Sequence, residues 1–331
     1  KMSRQHRLLD LINVENIISS SKRKLTVINA KVDLPYREFC SADLTLIQPL
    51  ANFYDEFIGL NEKLLCEMEH SSDVTILHLP KSKIEGFGML SKAIELTQEY
   101  IIIDGNKKDG IDSYLNGIKK LTDILGVSIK DHGKAFCFDP KQINKTLVND
   151  WKNSAKIKEN IDGFFTAEGM FSPRSIDKGS HELASAFTGK LNGCIADLGA
   201  GWGWLSHEAL KQNIKKIDLY EAHFPSFQCS KLNIQDGRAD FFWIDVLKLS
   251  NDATYDMVIM NPPFHLGRAT DLSLGEGFLV KASEILKKNG TLHMVANRHL
   301  PYERTLSRLF KNVTISEEKL GFKIIEAKIP K

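Results

Sequence analysis

Two adjacent prolines follow an asparagine and precede a phenylalanine at Asn261-Pro262-Pro263-Phe264. The prolines remove two backbone donors and restrict φ, and each holds the residue before it extended. The result is a stiff corner carrying two acceptors, the Asn261 side-chain oxygen and the Pro262 carbonyl. Such a pair suits an amino group attached to an aromatic ring, whose lone pair is delocalised and poorly nucleophilic. Accepting both of its N–H groups draws the nitrogen towards tetrahedral geometry and aims the lone pair at an electrophilic carbon. Catalysis of that kind is positioning and electrostatics. It needs no strong base, because the proton can leave after the new bond forms. Phe264 is the expected stacking partner of an extruded base, and Pro263 stiffens the corner. The plainer alternative is a Pro-Pro loop with a buried phenylalanine.

A second motif lies upstream, Asp197-Leu198-Gly199-Ala200-Gly201-Trp202-Gly203. Glycines here permit a tight turn and close approach of a ligand, and the helix that follows presents free N–H groups. Glu221, 24 residues after Asp197, is placed to accept from two ribose hydroxyls. Taken alone, the turn could serve NAD, S-adenosylmethionine or only chain reversal. Asp197 favours the methyl donor, whose amino end is cationic. A pyrophosphate would be repelled there, since like charges at ~4 Å cost several kcal/mol at low effective dielectric. Asp245 could accept from an adenine amino group or simply cap a helix. The turn and the strand ends that follow it make Asp197, Gly199, Ala200, Gly201, Glu221, Ala222, Asp245 and Val246 the expected donor contacts. Trp202 stands where such turns commonly carry small residues. With Trp204 it reads more naturally as a packing residue.

Elements of regular alternation must position these motifs. In residues 161–331 strands are expected at Cys194–Leu198, Lys216–Tyr220, Phe241–Asp245, Met257–Met260 and Thr291–Ala296. A terminal hairpin, Val313–Glu317 and Phe322–Lys328, is joined through Gly321. Leu274, Phe278, Ala282, Ile285 and Leu286 form one apolar helical face, and a short helix is expected near Tyr302–Phe310. Open α/β sheets bind ligands at the carboxyl ends of their strands, where both motifs fall. Residues 1–138 alternate similarly, with strands at Leu25–Ala30, Leu44–Ile47, Val74–Leu79 and Tyr100–Asp104. Helices are expected at Leu50–Glu69, Met89–Gln98 and Ile111–Leu125, and Gly86-Phe87-Gly88 reads as a loop. No acid-led glycine turn occurs in this half. The polar stretch Asp139–Asn160 suggests a boundary, giving domains of 1–150 and 151–331. The fold class is α/β, two Rossmann-like domains in tandem, the first degenerate, the second a seven-stranded sheet ending in an antiparallel hairpin.

With these residues in view, the chain resembles the class I S-adenosylmethionine-dependent methyltransferases of exocyclic amines. More narrowly it resembles the bacterial small-subunit ribosomal RNA guanine-N2-methyltransferase family (RsmC). Gly169-Met170-Phe171-Ser172 and Asp177-Lys178-Gly179-Ser180 resemble that family's segment ahead of the glycine turn. Val295-Ala296-Asn297-Arg298-His299-Leu300-Pro301-Tyr302 and Gly321-Phe322-Lys323 resemble its closing segments. Leu79-Pro80-Lys81-Ser82-Lys83 looks like a family element in the first half. The resemblance implies S-adenosylmethionine as donor and guanine N2 of 16S rRNA as acceptor. It implies a first domain that has lost cofactor binding and aids folding and RNA contact. It places Gly199, Gly201, Glu221, Asp245 and Asn261 along the methyl donor, and Phe171, Asn261, Phe264 and Lys323 near base or RNA. Amine methylases of DNA adenine and protein glutamine share Asn-Pro-Pro-Phe, so the corner alone does not choose among them. Large-subunit rRNA guanine methylation, a non-catalytic RNA-binding module and an NAD enzyme are the competing readings.

Composition is consistent with this and excludes little. The net charge is +2 over 331 residues. Residues 1–150 carry 20 basic and 21 acidic side chains and residues 151–331 carry 24 and 21, so neither half is a bulk polyelectrolyte binder and RNA contact must be local. Lys281, Lys287, Lys288, Arg298, Arg304, Arg308 and Lys311 are one candidate patch, Arg268 another; solvated helix faces are the alternative. His265 reads as a structural loop histidine rather than a proton acceptor. The cysteines Cys40, Cys66, Cys137, Cys194 and Cys229 have no metal-ligand spacing, so reduced thiols and no metal are expected. No apolar run approaches the ~20 residues of a membrane span. A cytoplasmic monomer acting on rRNA or the small ribosomal subunit, with no membrane partner, is the expectation.

Overall fold

A computed structural model describes residues 7–12, 23–39, 43–263, 265–266, 269–270 and 272–331. The chain divides into two units, Lys1–Lys156 and Ile157–Lys331.

In the first unit, short aliphatic runs form the strands. They are β1 (Leu25–Ile28), β2 (Leu44–Ile47), β3 (Lys63–Leu65), β4 (Ser72–His78), β5 (Thr97–Asn106), β6 (Ile124–Lys130) and β7 (Gly133–Phe138). They make one sheet in the order β3-β2-β1-β4-β5-β7-β6. The first five are parallel and β7 is antiparallel to both β5 and β6. Three sequence expectations are corrected here. The long helix expected at Leu50–Glu69 is a helical turn at Ala51–Tyr54, a 3-10 turn at Asp55–Phe57 and strand β3. Ile58 is extended and Gly59 takes φ +96°, which ends the helix. The helix expected to reach Leu125 stops at Ile118, and Ile124 opens β6. Gly86 and Gly88 lie inside the helix Lys83–Leu96, not in a loop. A Cβ on Gly86 would stand 2.1 Å from the Tyr114 hydroxyl, and one on Gly88 would stand 2.3 Å from Ala155. These glycines let neighbours pack closely; they do not cradle a ligand.

The second unit repeats the plan after a small antiparallel pair, β8 (Lys158–Glu159) and β9 (Phe165–Thr166). Its strands are β10 (Cys194–Leu198), β11 (Lys216–Glu221), β12 (Ala239–Trp243), β13 (Tyr255–Met260), β16 (Leu286–Asn297), β17 (Phe310–Lys319) and β18 (Phe322–Pro330). A minor pair, β14 (His265–Leu266) and β15 (Ala269–Thr270), follows the proline corner. The sheet order is β12-β11-β10-β13-β16-β18-β17, the first unit's order over again. Successive side chains of β13 point to opposite faces. Val258 and Met260 pack with Phe278, Leu279 and Ala282 of the helix Leu272–Ile285. Ile259 packs with Leu183 and Phe187 of the helix Lys178–Phe187 on the other face. Strands covered on both faces read as near-continuous apolar runs, which is why this half was legible. Each fully buried Ile, Leu or Phe contributes about 1.5–3 kcal/mol, so the two helices clamp the strand that carries the corner. Leu320 and Gly321 turn the terminal hairpin with φ +54° and +83°, as a two-residue type I′ loop requires.

Candidate active site

The proline corner leaves the carboxyl end of β13, beside β10, with Asp197 paired in register with Ile259. The chain therefore enters the glycine turn and the corner at one level of the same sheet edge. Pro262 is buried and Asn261 and Pro263 are half-buried. Phe264 and Arg268 lie outside the described residues.

Asn261 is held from behind. Its Nδ2 donates to Asp177 Oδ2 at 3.1 Å and to Ser180 Oγ at 3.0 Å. A carboxylate only accepts, so the nitrogen must face Asp177 and the oxygen Oδ1 must face the other way. Asp177 is the N-cap of the helix Lys178–Phe187, and the same Oδ2 accepts from Ser180 N at 2.8 Å.

The glycine turn is built on positive φ at Gly199 (+74°), Gly201 (+57°) and Gly203 (+96°). Gly199 N and Ala200 N donate to Tyr220 O at 2.9 and 3.0 Å. Glu221 braces the loop: Oε2 accepts from Gly201 N and Oε1 from His223 N, both at 2.7 Å. Both oxygens keep lone pairs for further donors. Asp197 is fully buried. Ser206 donates to its Oδ2 at 2.6 Å, while Oδ1 has no hydrogen-bond partner among the described residues. Burial pushes this carboxyl up to about 7; the Ser206 hydrogen bond opposes that and the Glu221 charge adds to it. A buried unpaired acceptor is costly, and a cationic donor at Oδ1 would remove the cost. The residues present therefore fit the amino end of S-adenosylmethionine. Asp245 caps the 3-10 turn Val246–Lys248, accepting from Leu247 N at 3.0 Å. The Ala222 carbonyl accepts from the Trp243 indole at 2.7 Å, and Val246 is buried.

Trp202 does not enter the pocket side of the turn. It packs on Phe164, with ring centroids 5.3 Å apart, and its indole N–H donates to Phe171 O at 3.0 Å. This ties the glycine turn to the segment bearing Phe171, whose ring is 57% exposed. Arg298 is exposed and anchored through its backbone N–H to Gly321 O at 2.9 Å. Lys323 departs from the expectation of an RNA-facing cation. It is buried, donating to Leu300 O at 2.6 Å and pairing with Glu303. The expected basic patch also shrinks. Lys281 is committed to Leu249 O, Asn251 and Glu284, and Lys287, though exposed, to Asp256; Lys288, Arg298, Arg304, Arg308 and Lys311 remain exposed. Among the described residues no His, Cys, Asp and Glu cluster could hold a metal, and no helix is long and apolar enough to cross a membrane.

Three contributors went unassigned by sequence reasoning: Asp177, Ser180 and Ser206. Asp-Lys-Gly-Ser at a helix start signals a cap, but nothing local signals its reach to Asn261.

The methyltransferase small domain family model matches residues 162–326. The ribosomal RNA small subunit methyltransferase C of Psychromonas ingrahamii is 29% identical over 271 residues, covering 78% of this chain and 76% of that protein. The protein of the same name from Shewanella loihica is 26% identical and covers 94% and 96%. The fold is similar to that of the T. thermophilus 16S rRNA N2 methyltransferase RsmC, solved with AdoMet and guanosine. The TM-score is 0.79 at 18% identity, covering 99% of this chain and 93% of that one.

Proposed function

Because the chain belongs to the ribosomal RNA small subunit methyltransferase C family, we propose that its second unit methylates the exocyclic N2 amine of a guanine in 16S ribosomal RNA. The donor is S-adenosylmethionine, the enzyme acts as a cytoplasmic monomer, and the acceptor RNA is free or within the small subunit. The observation that carries this reading is the anchored Asn261 amide, whose oxygen is left to accept from an amine beside the glycine turn.

When bound, S-adenosylmethionine supplies an electrophilic methyl carbon on a sulfonium. Asp197 receives the ammonium end, and Gly199, Ala200 and Gly201 line the backbone cradle. Glu221 and Ala222 meet the ribose, and Asp245 and Val246 meet the adenine. Asn261 Oδ1 and the Pro262 carbonyl accept the two N–H groups of the guanine amine and turn its lone pair towards the methyl carbon. The new N–C bond forms as the C–S bond breaks, and the nitrogen then loses a proton to water. The corner therefore supplies orientation and field rather than a base. Phe171 and Phe264 hold the base, and Arg298 holds the RNA backbone.

Asn261→Ala tests this. Donor affinity should stay within a few-fold, while kcat falls by about 10²–10³, the range seen when one positioned polar group is removed. Mass mapping of N2-methylguanine in RNA from a deletion strain tests the substrate. Unchanged turnover in the variant refutes the mechanism, and an unchanged small-subunit profile refutes the substrate.

A further inference from the structure

We propose that Asp177 is a positioning residue for methyl transfer, acting by fixing which way round the Asn261 amide stands. The inference rests on the reading of Asn261 given above. An asparagine amide is nearly symmetric in shape, and a half-turn exchanges its acceptor for a donor. Flipped, it would present N–H groups to the N–H groups of the substrate amine and repel them. The corner's rigidity does not prevent this, because prolines restrain the backbone and not the side-chain torsion.

What prevents it is on the opposite side of the side chain. Asp177 Oδ2 and Ser180 Oγ both lie within 3.1 Å of Nδ2. The serine hydroxyl could donate or accept and so cannot choose the orientation alone. The carboxylate can only accept, and its charge strengthens the bond. A flipped amide would set its oxygen against a carboxylate oxygen. Asp177 is itself held, because its Oδ2 also accepts from Ser180 N at 2.8 Å. Gly179 leaves room for this arrangement: a Cβ there would stand 3.1 Å from Asp177 Oδ2 and 3.0 Å from the Phe322 ring. One helix cap therefore serves two purposes, starting a helix and orienting an acceptor 84 residues away.

The two purposes separate experimentally. Asp177→Ser keeps a good N-cap but is too short to reach Asn261. It should lower kcat roughly tenfold to a hundredfold, short of the about 10²–10³ lost with the Asn261 side chain itself. KM for RNA, donor affinity and Tm should hold. Asp177→Asn retains an acceptor oxygen at the same reach and should recover most of kcat. In the double variant with Asn261→Ala, Asp177→Ser should cost nothing further, since its effect passes through the residue already removed. An unchanged kcat in Asp177→Ser overturns the inference. So does a loss that adds in full to that of Asn261→Ala, even if the variant is destabilised, because it would mark a purely structural role. If Asn261→Ala is itself active, the underlying reading of the corner fails, and that result is recognisable without any Asp177 variant.

Discussion

The two units share a strand order but finish the same sheet edge in opposite ways. After β10, the second unit turns on Gly199 at φ +74°; after β1, the first unit turns on Asn29 at φ +56°. In both, the next backbone N–H returns to the neighbouring strand, Ala200 to Tyr220 O and Ala30 to Ile47 O. Where Glu221 ends β11, Gln48 follows β2, buried, donating to Ala30 O at 2.9 Å and accepting from Leu50 N at 3.0 Å. Where Asn261 follows Met260, the register places His78 after Leu77, and of the two residues that come next only Pro80 is a proline. Met260 and Met294 face each other across β13 and β16; their counterparts across β4 and β5 are Leu77 and Ile103, and one place further on stand His78 and Asp104. Those two belong to a buried chain running from Tyr36 through His78 and Asp104 to Arg7. The first unit pairs His78, Asp104 and Arg7 with one another, whereas in the second Asp197 Oδ1 has no hydrogen-bond partner among the described residues and Asn261 is held through Nδ2. Topology is common to both, and the capacity for chemistry follows from which polar groups are left for a ligand.

Breaking the first unit's network should have the largest effect. Asp104 and Arg7 are both buried and bonded at 2.6 Å, and Arg7 also reaches Lys130 O. Removing one partner of such a pair leaves an uncompensated charge and costs about 3–5 kcal/mol. Asp104→Ala should therefore lower the urea midpoint of the first unit sharply. Burial alone would raise the Asp104 carboxyl, but the His78 and Arg7 interactions outweigh it and hold the group below the usual aspartate range. A depressed carboxyl contributes stability above its unfolded pKa and loses it as pH falls through the folded one. Acid below about pH 4 should thus weaken the first unit, and Asp104→Ala should remove that dependence. Equal stability of variant and wild type at neutral pH would break this account of the edge.

The paired positions Glu221 and Gln48 sharpen the comparison next. Glu221→Ala deletes the brace on Gly201 and two charge-assisted acceptors, each contributing about 1.5–3 kcal/mol. Donor affinity by calorimetry should fall by about a hundredfold or more. Gln48→Ala should leave it unchanged and cost about 1 kcal/mol of stability. Equal effects at the two positions would mean that the first unit also binds the donor.

How much of this was legible in sequence follows the same division. Cys194–Leu198 was read to the residue because a strand buried on both faces is a near-continuous apolar run, broken here only by Asp197 ahead of the glycine turn. The proline corner and Glu221 were legible because their chemistry is local. Leu50–Glu69 was misread because Phe53, Phe57 and Leu60 recur at helical spacing, while Gly59 and the pairing of β3 with β2 decide otherwise. The hairpin of β6 and β7 went unassigned because the helical spacing from Ile111 was carried on to Leu125, although Leu125, Val127 and Ile129 alternate as a strand does; the structure leaves these three exposed. Asp177 was read only within the family-like segment Asp177-Lys178-Gly179-Ser180 and not as a partner of Asn261, because fold alone brings them together.

A smaller effect, of definite sign, concerns Asp197. Its carboxyl is pushed up to about 7 by burial. Without ligand, a raised carboxyl favours the folded state below the unfolded pKa, and that contribution is lost as pH rises through about 7. An ammonium at Oδ1 requires the ionised form, so donor binding should release a proton below that pH. Affinity should rise by up to about tenfold per pH unit between pH 5 and 7 and then level. Asp197→Asn should bind weakly at every pH. A flat wild-type profile would show that the orphaned acceptor does not meet the cation.

The smallest expected effect separates contact with RNA from the ion pairs that look like it in sequence. Arg298 is exposed on the segment after β16, whereas Lys287 is paired with Asp256. Neutralising a cation that meets one phosphate releases about one fewer counterion, so Arg298→Ala should reduce the salt slope of RNA binding by about 1. It should weaken binding evenly across sequences. Lys287→Ala should leave the slope unchanged, because its charge is already spent on Asp256, and should act only on stability, by about 1 kcal/mol or less. The reverse pattern would place the RNA along the helix Leu272–Ile285 and its following strand rather than at the edge where Asn261 faces out.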